Sequence, residues 1–562
     1  MELFETILAS RGLSDDEQRD AFLSPVYDAK HDPFLLPDMD KAVERLVMAR
    51  KKQQNITIYG DYDIDGLTAT TVLLDALESF GFTHVDAFIP NRFIEGYGLT
   101  VDAIEQIANK GANLVITVDC GSLSEKEIVR AKELGVDVIV TDHHNVAPVQ
   151  PPAIAVINPK RLLADYPDEY ESYTLKKNSK MTGKIYPFLD LAGVGVAFKL
   201  VQALQTKLSG LEPGQEKWLL DLVALGTVCD VVNLTDENRA NVFWGLRVLA
   251  KTRRKGLEAL MAVANVTPDK VTARSLGFGL GPRMNAAGRL ETAQHSLDLL
   301  RASNISDANE FAQKLDVMNT TRKLDQEIIY KEAVLQAEQF KDDPVLVVSG
   351  ENWSHGIIGI VAAKLLERFH KPTFVLEEMG EEAKGSARSY GDFSAADAIR
   401  AADDIITKGG GHKFAAGVTM PVANIPLFRD RVNDYYRTLG LLNQESFLMP
   451  ESDAVAALEH VTEELIEDIG LLEPFGNGNP EPVLSSQNLR VFYRKRMGAE
   501  EQHIKLGLQD LIGRKIYLIA FSAPEHFFVE TGERVTVWYR PTINEWQGRR
   551  SVEGQLLRLE RA

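Results

Sequence analysis

The 562-residue sequence holds only two cysteines, Cys120 and Cys229. Two thiols cannot build a disulfide scaffold, and they suit a reducing cytosol. No run approaches the roughly 18 apolar residues needed to span a bilayer. The opening MELFETILASRGLSDDEQRD has no basic stretch followed by an apolar one, so no secretory leader is expected. Tandem repeats and low-complexity tracts are missing. Basic residues are also scarce: 62 Lys and Arg stand against 81 Asp and Glu, a formal net charge of −19. That excludes a protein that coats nucleic acid by bulk charge, but not an enzyme that grips it through local patches. A cytoplasmic protein with no membrane partner is expected.

What is present reads as several domains, each long enough for its own core. Residues 1–50 read as a helical extension packed on the first domain. In residues 51–300, strand-like runs (Ile56–Tyr59, Val85–Ile89, Leu114–Val118, Val136–Val140, Ile154–Val156) alternate with helical stretches such as Leu67–Phe80. That alternation predicts βαβ units and a mainly parallel sheet. Residues 165–187 read as a polar insertion. Residues 301–342 read as a connector helix, since Asp307–Gln339 contains no glycine or proline. A second α/β domain is expected over 343–445, beginning near VLVVSG. Short strand-like runs dominate 446–562, and residues 480–562 carry 13 Lys and Arg against 10 Asp and Glu. A small, relatively basic all-β module on an acidic chain predicts an OB-like nucleic-acid-binding barrel. Strand alternation would put Phe492 and Arg494 on one face, with Tyr493 and Lys495 on the other.

The acids sit in a pattern. Asp61, Asp63 and Asp65 in GDYDIDG follow the first strand. Asp119 ends LVITVDCG, and Asp142, His143 and His144 end VDVIVTDHH. Ligands of open parallel sheets bind beyond the carboxyl ends of the strands, so neighbouring strands would bring these groups into one crevice. Asp230, after the helix of ALGTVCD, adds a fourth contribution. Hard oxygen ligands with imidazole suit Mn²⁺ or Mg²⁺. Clustered carboxylates repel unless cations neutralise them, and two divalent ions are the usual solution in phosphoryl chemistry. The plain alternative is that each Asp caps a turn or helix; four such groups at successive strand ends argue against it.

GDYDIDG, VDCG, TDHH and GTVCD resemble the four motifs of the DHH phosphoesterases. IPNRFIEGYGL, LAGVGVAFKL, GPRMNAAGRL, SHGIIGIVAAKL, GSARS and GGGHKFAAG are similar to motifs of the RecJ-type bacterial single-strand-specific 5′→3′ exonucleases. The resemblance runs from about Asp32 to the C-terminus. It implies a parallel-sheet DHH domain joined by a long helix to a DHH-associated α/β domain and an OB-like barrel. It also implies two metal ions: Asp63 and Asp65, with Asp61 added, as ligands, Asp119 bridging both ions, and His143 and Asp230 on the second. His144 is then placed at the scissile phosphate and Asp142 as the group orienting the histidines. One position departs from the pattern, Cys120, where such sequences usually carry Asn.

Strand-end recognition falls on a second set. Ser354 and His355 precede a helix whose N–H groups can hold an anion. Gly409, Gly410 and Gly411 with His412 are expected as a glycine-rich turn that a phosphate can approach closely. Ser386 and Arg388 in GSARS offer a hydroxyl and a planar guanidinium. Arg92, Arg283, Asn285 and Arg289 complete the candidates.

These readings converge on a two-metal exonuclease acting on single-stranded DNA in repair and recombination. Two alternatives remain at this level: a phosphodiesterase of short oligonucleotides or cyclic dinucleotides, and an inactive replisome scaffold. The barrel argues against the first and the filled ligand positions against the second. The resemblance implies single-stranded DNA, a RecQ-type helicase and single-strand binding protein as partners, and a monomer.

Overall fold

The computed structural model describes residues 2–27, 31–96, 98–165, 167, 185–441, 444–499 and 501–562. Most of the polar insertion expected at 165–187 lies outside the described residues. The chain forms two compact units. One comprises Asp20–Thr320 with Glu473–Pro480; the other comprises Met1–Arg19, Thr321–Leu472 and Glu481–Ala562.

The first unit is built on five parallel strands: β1 (Ile56–Gly60), β2 (Val85–Phe88), β3 (Leu114–Val118), β4 (Asp137–Thr141) and β5 (Ala155–Ile157). Their order is β2-β1-β3-β4-β5. β1 and β3 are buried at every residue, as expected for strands covered on both faces. Two apolar cores, one on each face, account for this. Ile58, Ile116 and Ile139 point into the larger one, with the helices Ile64–Ser79, Gly193–Gln205 and Leu220–Cys229; Tyr59, Val115 and Val140 point into the smaller. The chain reverses its direction of travel across the sheet between β1 and β3, so the crevice for a ligand opens above their carboxyl ends. Residues 473–480 strap onto the segment after Asp230: Leu234 N–H donates to the Asn477 carbonyl at 2.7 Å, and the Asn477 amide to the Val231 carbonyl at 3.0 Å.

The 35-residue helix Ile305–Gln339 realises the expected connector. In the second unit, β6 (Leu346–Glu351), β7 (Thr373–Met379), β8 (Glu382–Arg388), β9 (Lys408–Gly411) and β10 (Ala415–Pro421) form a sheet in the order β6-β7-β8-β10-β9. Here the expected glycine turn is corrected. Gly409–Gly411 lie in edge strand β9, paired with β10. Glycine is still required at Gly411, whose φ is +141° and where a Cβ would lie 2.5 Å from Ala416 Cα.

The C-terminal module is a closed barrel. β12 (Leu484–Met497), β13 (His503–Gln509), β14 (Lys515–Ala520), β15 (Arg534–Trp546) and β16 (Arg549–Arg561) pair around the ring, and β12–β15 contacts close it. The short β11 (Ala454–Val455) adds to β12. Two expectations change. Helix Glu2–Ser10 packs on this module, where it meets β11 and helix Glu463–Gly470 and Arg11 Nε lies 2.7 Å from Asp453, while helix Met39–Lys52 of the same extension packs into the larger core of the first unit as expected. Simple alternation also fails in VFYRKR. A register shift between Val491 and Tyr493 makes Phe492 an extra residue, so Phe492 and Tyr493 both meet the Tyr517 ring. Tyr539 belongs to the barrel core.

Candidate active site

β1 ends at Gly60, and the chain turns at once into helix Ile64–Ser79. Asp63 caps that helix, accepting from the Asp65 and Gly66 N–H groups at 2.9 and 3.2 Å. Asn285 Oδ1 accepts from the Ile64 N–H at 3.0 Å and supports the same turn. Asp65 is fully buried, and its two oxygens accept from the Gly193 and Val194 N–H groups at 2.6 and 2.9 Å. The N-terminus of helix Gly193–Gln205 therefore grips it. Asp119, just beyond β3, has a left-handed φ of 60°. A non-glycine residue held there carries strain that the surroundings must impose, a pattern that clusters at functional sites. Gly193 leaves the room for it: a Cβ there would lie 2.7 Å from Asp119 Cβ and 2.9 Å from Asp65 Oδ2.

Asp142 and the two histidines follow β4 directly. His143 Nε2 lies 3.1 Å from Asp119 Oδ1, 3.6 Å from Asp230 Oδ2 and 3.9 Å from Asp65 Oδ2. Burial, then the neighbouring His144, lowers the His143 pKa to about 3, so its ring is neutral. A hydrogen bond to the Leu191 carbonyl engages the ring's other nitrogen. Asp142 is saturated by the His143 and His144 N–H groups, the His144 Nδ1 and the Ser122 N–H, at 2.7 to 3.1 Å. Burial alone would raise its pKa, but the hydrogen bond and charge of His144 hold it well below the usual range. Those same contacts raise His144, against the effect of its own burial. Asn158 completes the scaffold, donating to the His144 carbonyl at 2.9 Å.

Three groups of potential ligand atoms converge: Asp61, Asp63 and Asp119; Asp65, His143 and Asp230; and Asp119, His143 and His144. Asp119 belongs to two of them. Burial first, then the surrounding aspartates, pushes Asp61, Asp119 and Asp230 well above the usual carboxylate range, and Asp65 to about 7. Asp61 Oδ1, Asp119 Oδ1, His143 Nε2 and Asp230 Oδ2 are buried without a hydrogen-bond partner. Unsatisfied oxygens around an unprotonated imidazole nitrogen are the donor set of a divalent cation, so these residues fit the implied metals.

The remaining candidates separate. The Arg92 guanidinium stacks 4.2 Å over the Tyr62 ring, and its charge opposes the rise in the Asp61 pKa. Arg289 also acts on Tyr62. Arg283 is committed elsewhere: it pairs with Asp316 at 2.8 Å and donates to the Gly279 carbonyl at 2.8 Å. In the second unit, the Ser354 carbonyl starts helix Ile358–Phe369, and the His355 ring and N–H both meet Glu377 Oε2, at 2.9 and 2.8 Å. Arg388 donates to Ser386 Oγ at 3.2 Å and to the Ala387 carbonyl at 2.7 Å. No carboxylate pairs with it among the described residues, and burial lowers its pKa. Gly410 and Gly411 lie on the exposed edge strand β9, separated from Arg388 by β10, and the His412 N–H donates to the Ala415 carbonyl.

Gly193, Tyr62 and Asn158 belong to this site although no sequence motif singled them out for chemistry. Gly193 stood inside LAGVGVAFKL, yet nothing in its spacing announced two carboxylates against its Cα. Cys120 is buried, with its Sγ 4.0 Å from the Tyr59 carbonyl; it packs beneath Asp119 and does not join the ligand groups.

A strand-end cluster of aspartates and histidine, on a parallel sheet, defines a metal-dependent phosphoesterase of the DHH class. The family models agree: the DHH family N-terminal domain matches residues 55–227, the DHHA1 domain 342–438 and the RecJ OB domain 452–557. The chain is 36% identical to the single-stranded-DNA-specific exonuclease RecJ of Bacillus subtilis strain 168, covering 98% of this chain and 67% of that one. It is 33% identical to RecJ of Escherichia coli K12, covering 98% and 94%. The crystal structure of Thermus thermophilus RecJ in complex with Mn²⁺ superposes with a TM-score of 0.81 at 28% identity, over 99% of this chain and 75% of that one. The Mg²⁺ complex gives 0.76 at 27%, over 99% and 74%. The chain belongs to the RecJ family.

Proposed function

We propose that this chain hydrolyses single-stranded DNA from the 5′ end to 5′-mononucleotides, serving DNA repair and recombination. The observation that carries this reading is the convergence of three ligand groups, two of which share Asp119, with four buried donor atoms lacking a partner. Asp61, Asp63 and Asp119 would hold one cation, and Asp65, His143 and Asp230 would hold the other. Bound there, two divalent cations, Mn²⁺ or Mg²⁺, neutralise the carboxylates, polarise the phosphoryl oxygens and acidify an attacking water.

The chain's own residues supply position. Asp142 fixes the His144 ring so that its far edge can meet the scissile phosphate. Arg92, flattened on Tyr62, offers its guanidinium to the strand beside Asp61. Ser386 and Arg388, with the Gly410–His412 edge, His355 and the helix start after Ser354, take the 5′-terminal phosphate. Asn285 acts by holding the first turn. The barrel's aromatic cluster of Phe492, Tyr493 and Tyr517, with Lys515 4.8 Å over Phe492, stacks bases further along. A RecQ-type helicase and single-strand binding protein would supply the strand.

The test is hydrolysis of oligonucleotides carrying a fluorophore at the 5′ or the 3′ end, single- or double-stranded, with Mn²⁺. Mononucleotide release from the 5′ end of single strands is expected. Cleavage of dinucleotides alone, or none at all, would overturn the reading.

A further inference from the structure

The sheet that carries Ser386 and Arg388 continues beyond them. β8, β10 and β9 are in register, with Lys384 opposite Thr419 and Thr419 opposite Lys408. One row up, Ser386 lies opposite Gly417 and Gly417 opposite Gly410. Residues two apart on a strand share a face, so both rows stand on the side of Arg388. The alternate residues, such as Ala387, Ala416 and Val418, are buried in the core behind. Helix Ile358–Phe369 covers the β7 and β8 part of the open face: a Cβ at its Gly359 would lie 2.9 Å from Ser386 Oγ. What remains is a cavity of about 470 Å³ bordered by His355, Ser386, Gly410, Lys384, Thr419 and Lys408. Its floor is glycine, and a Cβ at Gly410 would meet nothing within 4 Å. Both lysines are exposed, and neither forms an ion pair among the described residues. Glu377, cross-strand from Lys384, has its Oε2 engaged by His355.

One cavity thus borders two polar rows, a two-residue step of about 7 Å apart. We propose that Lys384, Lys408 and Thr419 form a second phosphate subsite, which takes the outer phosphates of a 5′-di- or triphosphorylated strand end. This rests on the reading that Ser386 and Arg388 hold the phosphate attached to the terminal sugar. The chemistry of the substrate then decides what the second row can receive. An enzyme that releases mononucleotides cuts the first internucleotide phosphate, and that group belongs to the aspartates and histidines of residues 61–230. With the terminal phosphate on Ser386 and Arg388, the phosphates joined directly to it beyond the 5′ end are the ones that a row one step along the same sheet can take. Ammonium groups suit such a flexible polyphosphate, because each is a compact charge on a long stem.

The experiment is fluorescence anisotropy in EDTA, where no strand is cut, with one 15-mer bearing a 5′-hydroxyl, 5′-monophosphate or 5′-triphosphate. Wild-type protein should bind the triphosphate roughly tenfold tighter than the monophosphate, as two solvent-exposed ion pairs warrant. In the Lys384→Gln, Lys408→Gln double variant that ratio should fall to about one, while monophosphate over hydroxyl keeps its wild-type value. Equal wild-type affinity for tri- and monophosphate would overturn the proposal. So would a double variant weakened equally on all three ends, which would make the lysines general backbone contacts. The wild-type ratio of monophosphate to hydroxyl tests the underlying Ser386 and Arg388 assignment separately.

Discussion

Two residues are central to the proposed chemistry, and each is set in place by its neighbours. Asp119 is strained, buried and shared between two ligand groups. Asp119→Ala should abolish hydrolysis while single-strand affinity stays within about twofold, since the proposed strand contacts lie elsewhere. Turnover above a few per cent of wild type at saturating Mn²⁺ would remove the bridging assignment. Arg388 has hydrogen-bond partners but no carboxylate among the described residues. Arg388→Ala should erase most of the preference for a 5′-phosphate over a 5′-hydroxyl end, a loss of roughly 1.5–3 kcal/mol for a charge-assisted contact. Equal loss on both ends would assign Arg388 to general backbone binding.

At the scale of elements, the first site depends on how helix Gly193–Gln205 meets the β1 and β3 turns. Its first two N–H groups hold both oxygens of Asp65, and its first Cα leaves room for Asp119. In Gly193→Ala the added methyl must displace one of these aspartates. Mn²⁺ affinity measured by calorimetry should fall at least tenfold, with the circular dichroism spectrum unchanged. Unaltered Mn²⁺ binding would show that the helix end is not the clamp. The barrel offers a second case. The bulge at Phe492 gathers three aromatic rings that regular pairing would split between faces. Tyr493→Ala with Tyr517→Ala should weaken single-strand binding by about 1–3 kcal/mol per lost stack. The salt dependence should hardly move, because no charge is removed. A flattened salt slope would mean the rings position phosphate contacts instead.

For the whole molecule, the net charge of −19 makes local neutralisation decisive. Metal binding should stabilise the fold as well as enable chemistry, because the apo site confines several carboxylates whose charged forms burial disfavours. At a Mn²⁺ concentration 100 times Kd, mass action contributes about 2.7 kcal/mol. Scanning calorimetry should then show the unit containing residues 20–320 melting several degrees higher in Mn²⁺ than in EDTA. Asp119→Ala should lose that rise. Identical melting with and without metal would argue that the cluster does not take up cations.

Much of this was written in the chain itself. β1, β3 and β4 are short apolar runs between breakers, and the acids that follow them could be placed in one crevice from the parallel topology alone. The barrel strands and the connector helix were legible for the same reason: local pattern and breaker residues decide them. Three things were settled only by packing. Gly409–Gly411 became an edge strand because β10 supplies a partner that no local rule reveals. Arg283 was drawn to Asp316 and backbone carbonyls, although its motif was indistinguishable from a phosphate-binding one. The approach of Gly193 to Asp65 and Asp119 and the alignment of Lys384, Thr419 and Lys408 in one row arise from contacts between segments far apart in sequence, where close approach and register, not composition, determine which side chains are neighbours.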